Sequence, residues 1–203
     1  MTIHLKGQRW DKCGFLIGTM KNSVNKSSRI ILPILLFFLF SYASAQQKSD
    51  EPNDAKFYID RGIAYANKSQ HDQAISDYTK ALRINPKDAD AYYYRGIAYA
   101  EKGQFDQAVD DFTQSLERGS KGAGAYYYRG IAYTNKGQFD WAIGDFTKAL
   151  EIDPKRADAY YNRAIVYYFK KEFNNSWRDV RKAQDLGYKI PSKFLENLRN
   201  ASK

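Results

Sequence analysis

The pentapeptide Arg-Gly-Ile-Ala-Tyr occupies residues 61–65 and recurs unchanged at residues 95–99 and 129–133. A variant, Arg-Ala-Ile-Val-Tyr, occupies residues 163–167, so that successive arginines are 34 residues apart. A fixed period of this length is typical of solenoid proteins, in which each repeat is one supersecondary unit stacked on its neighbours. The sequence therefore predicts four stacked units.

Each repeat contains two stretches with helical spacing. In the second repeat these are residues 89–102 and 105–118, joined by Gly103 and Gln104. Apolar residues recur every three or four positions in both stretches, which predicts helices buried along one stripe. Because the connection is so short, the two helices of a repeat are expected to be antiparallel.

Small and aromatic residues recur at fixed positions, and they carry a family resemblance. The small positions are Gly62, Gly96, Gly130 and Ala164, then Ala74, Ala108, Ala142 and Ser176, then Ala81, Ser115, Ala149 and Ala183. The aromatic position holds Tyr78, Phe112, Phe146 and, in the last copy, Val180; Pro86 and Pro154 close two repeats. This pattern resembles the tetratricopeptide repeat, a helix–turn–helix unit of 34 residues. The resemblance implies an all-α, right-handed α-solenoid.

The resemblance sets the expected boundaries. The four repeats span residues 55–88, 89–122, 123–156 and 157–190. Residues 191–203 are expected to form a C-terminal capping helix, with Ser192 as its N-cap and Phe194, Leu195 and Leu198 on one side. Residues 46–54 are polar, lack apolar periodicity and are predicted to be a flexible linker.

Residues 1–45 read as an N-terminal signal peptide. A basic stretch precedes the apolar run at residues 30–40, and Ala43-Ser44-Ala45 follows as a cleavage site. This order is typical of export signals. We therefore expect an exported protein, periplasmic in a Gram-negative bacterium and otherwise secreted, which meets the membrane only through the leader before cleavage. The alternative is an uncleaved membrane anchor, and Met20 is a candidate for the true start.

Composition argues against several functions. The net charge is +9, but residues 1–45 hold six basic residues and one acidic residue, so the repeats provide little support for nucleic-acid binding. The one cysteine, Cys13, lies in the leader, and the chain has two histidines, His4 and His71. Metal and cofactor sites lack suitable ligands, and no phosphate-binding loop or nucleophile elbow occurs. We expect no enzymatic activity.

A surface for protein or peptide partners is the remaining expectation. In the tetratricopeptide repeat family the first helices line a concave face, and by position this face would present Ile59, Ile63, Tyr93, Ile97, Tyr127, Ile131, Tyr161 and Ile165. Isoleucine stands where family members that clamp acidic tails hold asparagine, so that ligand is not expected. Tyr127, the central tyrosine, is the predicted binding hot spot. Alternatively, tyrosine and isoleucine are simply favoured repeat residues.

Trp141 is a second candidate contact, because Gln73 and Gln107 occupy its position in earlier repeats. Its ring either binds a partner or lies over Gly144. The sequence thus predicts an interaction scaffold that binds a partner segment on its concave face. The alternative is a structural subunit of an envelope complex, assembled through lateral or convex faces.

Each repeated arginine is followed sixteen residues later by an aspartate. A constant offset in all four repeats predicts four ion pairs between the two helices of a repeat. The pairs are Arg61 with Asp77, Arg95 with Asp111, Arg129 with Asp145 and Arg163 with Asp179.

Overall fold

The computed structural model describes residues 52–120 and 122–203, and every regular element within these ranges is an α-helix. The predicted signal peptide, its cleavage site and Met20 lie outside the described residues. The predicted all-α class is confirmed, and the helices of the second repeat end one residue before the predicted positions. The helices are α1 (Ala55–Ala66), α2 (His71–Ile84), α3 (Ala89–Glu101), α4 (Phe105–Glu117), α5 (Ala123–Asn135), α6 (Phe139–Ile152), α7 (Ala157–Phe169), α8 (Phe173–Asp185) and α9 (Ser192–Ala201).

The helices pack in chain order. Each first helix (α1, α3, α5, α7) packs against the second helix of its own repeat (α2, α4, α6, α8), and each of α2, α4 and α6 also packs against the next first helix. Consecutive first helices touch one another only weakly. The result is a layer of first helices beside a layer of second helices, as expected of a solenoid.

Small residues allow the two helices of a repeat to approach closely. A Cβ atom added at Gly62 would lie 2.5 Å from the Tyr78 ring, and one added at Gly130 would lie 2.9 Å from the Phe146 ring. In the fourth repeat Ala164 and Val180 replace the glycine and the aromatic residue, and both are fully buried in one core cluster. The extra methyl group is accommodated because valine is smaller than phenylalanine.

The predicted arginine–aspartate pairs are confirmed in all four repeats. In each pair the arginine Nε and Nη2 groups donate to the two carboxylate oxygens, at distances between 2.6 and 3.0 Å. The aspartates are buried, at 1–6 % exposure. This geometry is the strong, bidentate form of an ion pair.

A threonine of the preceding repeat completes each inner pair. The Nη1 group donates to the threonine hydroxyl at 3.1, 2.9 and 2.8 Å in the pairs Arg95–Thr79, Arg129–Thr113 and Arg163–Thr147. One arginine side chain therefore ties its own two helices to the second helix of the repeat before it. Arg61 has no preceding repeat, and its side chain is 38 % exposed, compared with 17 % for Arg129.

A second set of ion pairs runs along the edge formed by the turns within repeats. A lysine at the end of a first helix bonds an aspartate at the start of the preceding second helix, in the pairs Lys102–Asp72, Lys136–Asp106 and Lys170–Asp140. The aspartates are largely exposed, so each pair contributes at most about 1 kcal/mol to folding. They recur at the same register position in three successive junctions between repeats.

Both sets of links stop at the fourth repeat. Asn174 and Arg181 occupy the positions of the bonding aspartate and threonine. The next helix, α9, packs on this end instead, and Leu198 is completely buried there beside Val180. The predicted N-cap is wrong: α9 begins at Ser192, and Pro191 holds the N-cap position.

Candidate protein-binding surface

The predicted contact residues of the first helices lie on one side of each helix. We call this side the inner face; the concave face of the sequence prediction corresponds to it. Four isoleucines occupy the same register position along the face, and all four are half-buried. They are Ile63, Ile97, Ile131 and Ile165. Each lies four residues after Ile59 or a tyrosine, one helical turn away.

Tyr93 is half-buried, and its ring contacts Tyr128 of the next repeat at 6.0 Å between centroids. Its hydroxyl lies beside Gly124, where an added Cβ would be 2.9 Å away. Burial raises the pKa of Tyr93 to about 12. The residue is therefore partly a contact between repeats and partly available to a partner.

Tyr127 lies in the core, at 8 % exposure, and does not contribute an exposed ring to the inner face. Asn162 donates its amide to the Tyr127 hydroxyl at 2.9 Å. The guanidinium of Arg156 covers the ring, 3.8 Å from its centroid. Burial, together with the nearby Asp158, raises the pKa of the tyrosine well above its ordinary value. The predicted hot spot is thus a structural residue, because its ring and hydroxyl are already engaged.

The connecting segments explain why Tyr127 and Tyr93 differ. Arg156 covers Tyr127, whereas Gly122 holds the corresponding position before α5 and has no side chain with which to cover Tyr93. Tyr161 is covered by the C-terminal part of the chain, since it stacks on Tyr188 at 5.0 Å between centroids and contacts Phe194 of α9 at 5.6 Å. The protein therefore covers its own inner face along α5 and α7, and the half formed by α1 and α3 is the more open one.

Polar residues border the open half. Asn67, Glu101 and Asn135 follow the isoleucine row by one helical turn, and all three are exposed. Asn135 donates its amide to the Ile131 carbonyl oxygen. Side-chain amides in such a position can also bind the backbone of an extended segment. The open half thus combines partly exposed apolar area with hydrogen-bonding groups, the combination found in protein interfaces.

Trp141 is the second candidate contact, and it is 68 % exposed. Its ring lies 6.1 Å from the ring of Tyr133. The alternative in which it lies over Gly144 is wrong, because a Cβ added at Gly144 would meet no atom within 4 Å. The tryptophan therefore projects from α6 with most of its surface in contact with solvent.

The described part of the chain contains no group of His, Cys, Asp and Glu residues able to hold a metal ion. His71 lies at the start of α2, where its Nδ1 atom is buried without a hydrogen-bond partner. Within residues 52–120 and 122–203, no helix has the length and apolar character needed to cross a membrane.

The repeat pattern also decides the family. Models of the TPR repeat match residues 62–103, and models of the tetratricopeptide repeat match residues 89–119, 123–156 and 146–184. The chain belongs to the tetratricopeptide repeat family. Proteins of this family are generally non-catalytic interaction scaffolds. No curated protein matches the sequence of the chain.

Solved tetratricopeptide repeat structures share the fold. A crystal structure of MamA superposes with a TM-score of 0.65 at 25 % identity, covering 70 % of this chain and 83 % of MamA. The TPR domain of Arabidopsis OM64 gives a TM-score of 0.56 at 27 % identity, covering 58 % of this chain and 99 % of the OM64 domain. The first TPR of Spaghetti (RPAP3) was solved bound to the HSP90 peptide SRMEEVD. It superposes with a TM-score of 0.56 at 23 % identity, covering 58 % of this chain and 94 % of the Spaghetti domain.

Proposed function

We propose that this protein is a non-catalytic scaffold that binds a segment of a partner protein on its inner face. The observation that carries the proposal is the row of half-buried isoleucines at one register position of four successive first helices. Three of these isoleucines, Ile63, Ile97 and Ile131, pack against core clusters while keeping part of their surface exposed, and polar residues border the row. The Spaghetti domain, which has the same fold, holds a peptide, and this supports peptide binding as a use of the fold.

The open half of the inner face is the proposed contact region. Ile63, Tyr93 and Ile97 are central to it, since Tyr127 is covered from within the chain. A few well-packed residues near the centre of an interface contribute most of the binding energy, while the surrounding contacts exclude water. An extended segment lying along α3, between α1 and α5, would bury this apolar area.

Site-directed photo-cross-linking tests the proposal. A photoreactive amino acid replaces Ile97 on the inner face or, as the matched control, Gln107 on α4 of the same repeat. Partner adducts are expected from position 97 and not from position 107. Ile97→Asp should abolish the adduct formed by a cross-linker at Ile63, while circular dichroism still reports a helical protein. Adducts from position 107 alone would contradict the proposal.

We further infer that the protein acts in the cell envelope after export. The leader supports this inference: its basic stretch, apolar run and Ala43-Ser44-Ala45 site occur in the order that signal peptidases recognise. Mass spectrometry of the native protein should then find Gln46 at the N-terminus. An intact residue 30–40 segment would contradict cleavage, and retention in membranes after a salt wash would indicate the anchored alternative.

The exposure of Trp141 favours a second candidate, a structural subunit assembled through the outer surface of α6. Exposed tryptophans are frequent anchors of protein interfaces. An obligate subunit should self-associate or aggregate when pure, whereas a receptor for a partner segment can remain monomeric. Light scattering on the wild type and on Trp141→Gln distinguishes the two: loss of self-association in the variant would favour the subunit.

A further inference from the structure

The helix α3 carries a stripe of four residues along the inner face. Asp90, Tyr93, Ile97 and Glu101 follow one another at spacings of three and four, which places them on one side of the helix. Tyr93 and Ile97 are half-buried, whereas Asp90 and Glu101 are exposed. The stripe is therefore an apolar patch with a carboxylate at each end.

The negative charges of these two carboxylates are not paired with basic side chains of the described residues. Within the residues that the structure describes, neither Asp90 nor Glu101 forms an ion pair. Two other acidic residues of the first helices do: Asp60 pairs with Lys56 at 2.9 Å, and Asp158, at the register position of Asp90 in α7, pairs with Arg156 at 3.1 Å. The open half of the inner face thus concentrates its unpaired negative charge on α3.

General acidity does not explain this charge, because the chain as a whole carries a net charge of +9. No other inner-face stripe carries a carboxylate at both positions. Lys56 stands at the register position of Asp90 in α1, and Gly124 stands there in α5; Asn67 and Asn135 stand at the position of Glu101. The carboxylate pair is a feature of the second repeat alone.

We propose that the partner segment is a short extended stretch of apolar residues flanked by lysine or arginine, with its basic ends paired to Asp90 and Glu101. This inference rests on the proposed binding role of the inner face. Charge complementarity of this kind steers association and fixes the register of a bound segment. The apolar centre of the segment would cover Tyr93 and Ile97.

The geometry sets the spacing of the basic residues. Asp90 and Glu101 are separated by about 16 Å along α3, given the rise of about 1.5 Å per helical residue. An extended chain advances about 3.3 Å per residue. Basic side chains about five residues apart therefore match the two carboxylates.

The same charges disfavour acidic segments. The peptide SRMEEVD, which the Spaghetti domain holds, contains three acidic side chains and one basic one. Against α3 these carboxylates would face Asp90 and Glu101, and like charges in close proximity are unfavourable. This peptide is expected not to bind.

Selection from a random peptide display library, with the whole chain as bait, tests the inference. The enriched peptides should be apolar with flanking lysine or arginine. Fluorescence polarisation with the most enriched peptide should show that Asp90→Asn with Glu101→Gln weakens binding about five- to tenfold at low salt, the effect of two exposed ion pairs. The control, Asp110→Asn with Glu117→Gln, removes the same charge from α4 and should leave binding unchanged. SRMEEVD serves as the negative probe.

The outcomes separate this inference from the function on which it rests. Enriched peptides without basic residues, or equal weakening by the two double variants, would overturn the inference while leaving the inner face as a binding site. Enriched peptides whose binding survives Ile97→Asp, or no enrichment at all, would overturn both. Binding that weakens with rising salt in the wild type, but not in the Asp90–Glu101 double variant, would support the inference.

Discussion

Arg129 donates from Nε and Nη2 to both carboxylate oxygens of Asp145, at 2.7 and 2.8 Å, and from Nη1 to Thr113 at 2.9 Å. Three helices in two repeats therefore meet at one guanidinium. The charged groups are largely buried, with side-chain exposures of 17 % and 8 %. In such surroundings an ion pair stabilises a fold only while both partners are present.

We therefore expect Arg129→Ala to lower the free energy of unfolding by about 3–5 kcal/mol, because Asp145 is left as an unpaired buried charge. Changing both Arg129 and Asp145 to leucine should cost much less. Arg61→Ala is the matched control: Arg61 is more exposed and lacks the threonine contact, so the loss should be smaller. Urea unfolding measures all three variants, and equal losses for Arg129→Ala and Arg61→Ala would contradict the prediction.

The contact between Gly130 and Phe146 predicts a coupled pair of substitutions. Gly130→Ala alone should destabilise the protein by about 1–3 kcal/mol through overpacking, since the new Cβ would lie 2.9 Å from the phenylalanine ring. With Phe146→Val in place, the same alanine should cost much less, as the natural pair Ala164 and Val180 indicates. A double-mutant cycle in thermal unfolding measures this coupling. Strict additivity would show that the ring does not limit the site.

Two buried serines should respond to alanine in opposite directions. The hydroxyl of Ser115 is buried without a hydrogen-bond partner among the described residues, whereas Ser176 donates to the Ala164 carbonyl oxygen at 2.8 Å. Ser115→Ala should raise the free energy of unfolding by about 1 kcal/mol, and Ser176→Ala should lower it by a similar amount. Calorimetry would report melting shifts of about 2–4 °C in the two directions. A loss of stability in Ser115→Ala would contradict the prediction.

Buried tyrosines should make the fold sensitive to alkali. Burial raises the pKa values of Tyr78 and Tyr93 to about 12 and raises that of Tyr127 as well. In the unfolded chain these hydroxyls ionise near pH 10. The stability they contribute is therefore fully present below about pH 10 and is lost as pH rises through the folded-state values.

Urea unfolding between about pH 9 and pH 11.5 checks this expectation, with tyrosinate absorbance recorded in parallel. Tyr127→Phe should be less stable near neutral pH, because the Asn162 amide loses its acceptor, but its stability should fall less steeply with pH. The same slope in both proteins would indicate that Tyr127 ionises normally in the fold.

Contacts between residues that recur at the same separation in every repeat can be predicted from the sequence. Contacts that depend on a residue found in one repeat only cannot. The Arg–Asp pairs follow from sixteen residues repeated four times. Thr79, Thr113 and Thr147 recur with equal regularity, so the position of the threonine in each repeat also predicts its contact with the next arginine. Equivalent positions do not guarantee equivalent exposure, however. Tyr127 is buried because Arg156 and Asn162 replace the residues found at those positions in earlier repeats.

Surface residues are harder to predict because several orientations satisfy the same helical position. Nothing in the spacing of Trp141 and Gly144 decides whether the ring turns toward the glycine or toward Tyr133. The unpaired state of Asp90 and Glu101 is equally hidden, since it depends on which lysines and arginines are already engaged elsewhere. Register gives the side of a helix on which a residue lies, and the surrounding contacts decide what that residue can do.

Because each inner arginine bonds an aspartate of its own repeat and a threonine of the preceding one, an interior repeat can be duplicated without losing these contacts. A duplicate of residues 89–122 inserted after residue 122 would bring its own arginine and aspartate. Its arginine would donate to the threonine of the copy before it, and its own threonine would accept from Arg129. Each such insertion would lengthen the inner face by one first helix without a new kind of junction. Adding a repeat after the fourth one is unfavourable, because Arg181 stands at the threonine position. Its guanidinium would face the arginine of the added repeat, which needs a hydroxyl there. The reach of the protein toward a partner is therefore adjustable from within the array and fixed at its C-terminal end.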